Sequence, residues 1–160
     1  MTVSYPLLTR QLEALLEDEP DLLANSANLV ALLFAEIPHI NWLGIYVLRG
    51  NELVLGPFQG KPACVRIPLG QGVCGTAAAR AESLLVDDVN EFKGHIVCDS
   101  ASVSEVVVPL LASGRVIGVL DIDSPQRGRF SADDQHGLEQ LCERFVQLLE
   151  SKSSDLQEFI

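Results

Sequence analysis

Apolar residues recur at helical spacing near the start of the chain, where Leu12, Leu15 and Leu16 predict a helix over residues 9–17. Residues 21–36 repeat the pattern, with Leu22, Leu23, Leu29, Val30, Leu33 and Phe34 along one side and Pro20 and Pro38 at the boundaries. The period then shortens. Residues 42–48 are a continuous apolar run, Arg49, Gly50 and Asn51 turn the chain, and residues 52–58 return, which predicts a β-hairpin. Residues 63–67 read as a third strand. Gly70, Gly72 and Gly75 punctuate a turn into a short Ala-rich helix over 76–81, and 84–86 is a short strand. From 87 to 104 the pattern is lost, and a structureless polar stretch of this length inside a compact domain is often functional. Strands resume at Val106 to Leu110 and at 116–122, turned by Ser113 and Gly114. Ser131 opens the last helix with Asp134 as its capping-box partner, and Leu138, Leu141, Cys142, Phe145, Leu148 and Leu149 form its core stripe.

Strands joined by tight turns predict a largely antiparallel sheet, and helices at both ends of the sequence must cover one of its faces. The expected class is α+β, with the other face carrying the long loop and any ligand.

Composition narrows the picture. The 160 residues have room for one domain, 48% are hydrophobic and 21% charged, and no repeat or low-complexity segment interrupts them. The net charge of −11 argues against nucleic acid and anionic membrane surfaces as partners. No long uncharged apolar window predicts a membrane span, and the N-terminus lacks the basic region and cleavage site of a signal peptide. The expectation is a cytoplasmic protein with reduced thiols. The polar residues 152–160 break the helical period and are expected to fray.

Candidate chemistry lies in the cysteines, the acids and two aromatics. Cys142 sits on an apolar stripe and reads as a core residue. Cys64 falls in a predicted strand and Cys74 in the glycine-rich turn GQGVCG. Cys98 lies in the polar loop beside His95, Asp99 and Ser100, where a thiol is exposed and can be tuned. A zinc site is disfavoured, because His95 and Cys98 are the one closely spaced ligand pair and the other cysteines are far apart in sequence. Glu105 opens one strand, while Asp121 and Asp123 end another and share a sheet face. Unpaired acids are costly in a core, so these three belong either to a solvated strand end or to a pocket that binds a cation or moves protons. Trp42 and Tyr46 share a strand face, as core or as a pocket wall.

The stretches GQGVCGTAAA, VDDVNEFKGHIVCDSASVSEVVVPL and GRVIGVLDIDSP, with NWLGIYVL before them, resemble the free methionine-(R)-sulfoxide reductases, which are stand-alone GAF domains. The resemblance spans nearly the whole chain. It implies a GAF-like fold over residues 1–160, with about six antiparallel strands, helices on one face and the ligand pocket on the other. Homodimers packed through the helices are common in that family. The resemblance implies Cys98 as catalytic thiol, Cys64 as its resolving partner and Cys74 as a further thiol in recycling. Glu105, Asp121 and Asp123 are then the substrate-binding acids, and Trp42 and Tyr46 the pocket aromatics. No bound cofactor or metal is implied, and the external reductant is thioredoxin, itself reduced from NADPH. One departure is Lys93, where members often carry proline. Two other readings stay open: a non-catalytic GAF module that senses a small ligand, and a thiol-based redox sensor.

Overall fold

The chain runs α1 (Tyr5–Leu16), α2 (Leu22–Glu36), β1 (Trp42–Arg49), β2 (Glu52–Gln59), β3 (Arg66–Pro68), α3 (Gly72–Arg80), β4 (Leu84–Val86), β5 (Ser104–Ala112), β6 (Arg115–Ser124) and α4 (Ala132–Glu150) in a computed structural model that describes residues 2–96, 98, 100–153 and 156. The six strands form one sheet in the order β3-β2-β1-β6-β5-β4, with every neighbouring pair antiparallel. This is the expected α+β architecture of the GAF fold.

Strand alternation divides the core in two. Leu43, Ile45 and Val47 of β1, Val106, Val108 and Leu110 of β5, and Leu120 and Ile122 of β6 face α1, α2 and α4. Trp42, Tyr46, Val107 and Val119 face the opposite way, where they meet Leu53, Ile67 and the inner side of α3. Burial of aliphatic side chains on this scale, at ~25 cal/mol per Å², is the main stabilising term. The larger, wholly apolar layer lies under α1, α2 and α4, so the second face can carry polar groups.

The helix ends follow their caps. Asp21 accepts from Ala24 N at 2.8 Å to start α2. The capping box at α4 forms as expected: Asp134 N donates to Ser131 Oγ at 3.0 Å and Ser131 N to Asp134 Oδ2 at 2.9 Å. Asp134 also accepts from the Tyr5 hydroxyl at 2.7 Å, joining α1 to α4. Lys152 donates to the carbonyls of Leu16 and Glu19 just past α1, and Leu156 is buried in the helical layer. The remainder of the segment expected to fray, residues 154, 155 and 157–160, lies outside the described residues.

Four elements differ from expectation. The first helix starts at Tyr5 and not at residue 9, because Ser4 caps it by accepting from Leu7 N. The third strand begins at Arg66, so Cys64 precedes it, because the carbonyls of Lys61 and Cys64 accept from pocket side chains instead of a neighbouring strand. α3 begins at Gly72, since two of the glycines that read as a turn lie inside its first turn: Gly72 has φ +63° and Gly75 packs against the carbonyl of Pro68. The long loop is not structureless. Val89–Glu91 forms a 3-10 turn capped by Asp88, and Arg127 bridges Asp88 and Glu91 at 2.9 Å each.

Gly137 lets α1 approach α4, because a β-carbon there would collide with the Tyr5 ring. Gly137→Ala is expected to destabilise the protein by about 1–3 kcal/mol in urea unfolding, and Tyr5→Leu combined with it should recover part of that loss.

Candidate active site

The register of three central strands assembles the site. Trp42 on β1 lies opposite Asp123 on β6, which lies opposite Glu105 on β5. One step along the same face, Gly44 pairs with Asp121 and Asp121 with Val107. Tyr46 and Val119 form the next row. The sequence-predicted acids and aromatics therefore share one patch of sheet, on the face turned away from α1, α2 and α4.

Gly44 is the missing side chain that makes this patch concave. Its absent β-carbon would lie against the Trp42 ring and 2.6 Å from Phe58 Cβ, so the indole occupies that space. Trp42 stacks on Phe58 at 5.4 Å and on Tyr46 at 5.9 Å between ring centroids. A register shift between Gly44 and Tyr46 adds a local irregularity in the pairing with β2. The polar tips of the two pocket aromatics reach the segment before β3. Trp42 Nε1 donates to Lys61 O at 3.0 Å, and Tyr46 OH to Cys64 O at 2.8 Å. Phe58 and Gly44 were not singled out from sequence, although glycine between Trp42 and Tyr46 on one face of a strand was the available signal.

α3 roofs the patch. Gly72, Val73 and Cys74 line the cavity, and Gly72 N donates to Gly94 O at 3.2 Å, which ties the long loop to the start of the helix. The loop then brings Cys98 to Cys64. The two form a disulfide with Cα atoms 5.5 Å apart. Cys98, Cys74, Glu105, Asp121, Asp123, Trp42, Tyr46 and His95 line one cavity of about 40 Å³. Cys142 is buried in the helical layer, as expected of a core residue.

The acids are not solvated. Glu105 and Asp121 are each 6% exposed, and among the described residues no lysine or arginine lines the cavity. Cys74 Sγ donates to Glu105 Oε1 across 3.8 Å, and Asp121 Oδ1 has no hydrogen-bond partner among the described residues. Burial, reinforced by the Asp121 charge, pushes the Glu105 carboxyl well above the ordinary carboxylate range. Burial also raises Asp121, and it raises the Cys74 thiol well above an ordinary cysteine. His95 is shifted down by desolvation, partly offset by Asp121.

Raised carboxyl pKa values make the folded state bind protons more tightly than the unfolded chain. The resulting stability is complete below the ordinary carboxylate range and is lost as pH rises through the folded-state values of Glu105 and Asp121. Asp121→Asn removes one of these charges. It is expected to stabilise the fold by about 0.5–2 kcal/mol at pH 8, with the gain vanishing near pH 4, in urea titrations at both pH values.

The GAF domain family matches residues 10–149. A curated relative, the free methionine-R-sulfoxide reductase of Escherichia coli, is 51% identical over 92% of this chain and 90% of its own length. A solved structure described as a putative GAF sensor protein from Burkholderia vietnamiensis is 53% identical, with a TM-score of 0.90 over 94% of this chain and 96% of that one. The free methionine-R-sulfoxide reductase of Neisseria meningitidis, solved in complex with its substrate, is 40% identical, with a TM-score of 0.89 over 95% and 96%. The chain belongs to the GAF domain family and, within it, to the free methionine-R-sulfoxide reductases.

Proposed function

We propose that this protein is a thiol-dependent oxidoreductase that reduces free L-methionine-(R)-sulfoxide to L-methionine. The observation that carries the reading is the Cys64–Cys98 disulfide beside a cavity lined by Trp42, Tyr46, Glu105, Asp121 and Asp123. The Cys98 thiolate attacks the sulfoxide sulfur. The sulfoxide oxygen takes up a proton and passes as hydroxyl to Cys98 Sγ while the transient sulfur–sulfur bond and the substrate sulfur–oxygen bond break, so that methionine leaves and Cys98 becomes a sulfenic acid. The Cys64 thiol displaces that hydroxyl as water and forms the disulfide. Two electrons pass from the two thiols to the sulfoxide, and a dithiol such as thioredoxin, itself reduced from NADPH, restores them by exchange. Cys74 is a further thiol that takes part in recycling.

Burial keeps Glu105 protonated farther up the pH scale than an exposed glutamate, so it is the proposed proton donor. Asp123, half-buried, and Asp121 receive the substrate ammonium. Trp42 and Tyr46 enclose the S-methyl group. Methionine sulfoxide inside a peptide has no free ammonium, and a site built to pair a charge rejects the ligand that lacks it. The same reading places the protein in a reducing cytoplasm, where its disulfide is a step in turnover; among the described residues no helix is long and apolar enough to cross a membrane. It also takes the domain as a homodimer packed through the helical layer, a reading that the exposed Leu7, Leu15 and Leu23 support. No metal enters the cycle.

With a dithiol present, the enzyme is expected to release methionine from the R epimer of free methionine sulfoxide and leave the S epimer intact, followed by chiral chromatography. Equal loss of both epimers, or no methionine, sinks the reading. Cys98→Ser should abolish release even with a small dithiol. Cys64→Ser should lower turnover with thioredoxin by about 10²-fold or more while a small dithiol still supports it.

A further inference from the structure

The catalytic proposal treats Cys74, Glu105 and Asp121 as separate groups, yet the fold brings them together as a donor set. One ligand atom from each, a thiol sulfur and two carboxylate oxygens, lie within 4.8 Å of one another, and all three residues are buried. Zinc takes sulfur at ~2.3 Å and carboxylate oxygen at ~2.0–2.2 Å, so donors at this spacing need only small side-chain rotations to reach a common centre. Asp121 is 94% buried by its 6% exposure, and its Oδ1 lacks a partner among the described residues. The oxygen therefore has coordinating capacity that no protein donor uses. Among the described residues the cavity is lined by no lysine or arginine, so a cation there would meet Glu105, Asp121 and Asp123 and no competing fixed positive charge. His95, whose Nδ1 is also buried and unpartnered among the described residues, lines the same cavity but lies outside this set of three donors.

The cavity of about 40 Å³ has room for an ion with water completing its ligands, since one water needs only ~10–15 Å³ by the same measure. Mixed sulfur and oxygen donors select zinc or cadmium over magnesium or calcium, which require more oxygens and no thiol. The wide sequence separation of Cys74, Glu105 and Asp121 hides this set from any spacing rule.

The geometry points to a zinc-binding site formed by Cys74, Glu105 and Asp121, whose occupancy blocks the pocket. Binding forms a zinc–sulfur bond and releases the Cys74 thiol proton to solvent; nothing is oxidised or reduced. Zinc here is an inhibitor, in keeping with a cycle that uses no metal. That inhibition rests on the proposed function, whereas the binding itself does not.

The disulfide form of the full-length protein isolates the site, because Cys64 and Cys98 are then masked. Zinc alone, in calorimetry, is expected to bind at one ion per chain, and cadmium alone should produce a thiolate charge-transfer absorption band. Cys74→Ser should remove the band and weaken binding at least ~10-fold, and Asp121→Asn should weaken it similarly, while Cys142→Ala leaves it unchanged. Should Cys74→Ser fail to fold by circular dichroism, Glu105→Gln and Asp121→Asn decide the matter. Absence of binding by the disulfide form, or undiminished binding after these substitutions, overturns the site. In the thiol form, zinc should raise the KM for free methionine-R-sulfoxide with kcat unchanged. A protein that binds zinc through Cys74 but reduces no sulfoxide would refute the proposed function and leave this site standing.

Discussion

Two carboxylates packed side by side without a basic partner set the terms for this molecule. Glu105 and Asp121 are placed by the β5–β6 ladder, on adjacent strands, and both are buried beneath α3. Holding them there costs stability. The opposite face of the same strands carries the compensation: a continuous apolar layer between the sheet and three helices. The division of labour between faces follows directly from the period-two alternation of side chains.

Much of this arrangement was legible because it rests on periodicity. The capping box at Ser131 and Asp134, the stripe along α4 and the shared face of Trp42 and Tyr46 all follow from fixed geometric repeats. Family resemblance added the roles. What could not be read was the set of places where a side chain replaces a backbone partner. Cys64 was expected within a strand, but its carbonyl serves the Tyr46 hydroxyl. Gly72 was expected to precede a helix and instead begins it. The 3-10 turn at Val89–Glu91 depends on Arg127, a residue distant in sequence whose partnership with Asp88 and Glu91 leaves no local pattern.

The acids show the same limit from another side. Sequence left open whether Glu105, Asp121 and Asp123 were a wet strand end or a pocket. Burial alone separates the two cases, and burial here depends on α3 closing over the sheet, which in turn depends on Gly75 fitting beneath Pro68. A pocket's electrostatics is thus decided by backbone contact several residues away from any charged group.

The pairing of α1 with α4 carries a consequence for how the chain is made. Tyr5 reaches Asp134, and Lys152 reaches back to the carbonyls of Leu16 and Glu19. α1 therefore has α2 beside it early but cannot meet α4 until all six strands have been synthesised. During that interval the apolar side of α1, with Leu8, Leu12 and Leu16, must wait uncovered or be sheltered by α2. Closure of the helical layer is a long-range event with high loop-closure entropy, so the nascent domain commits to its final form only once α4 has been synthesised.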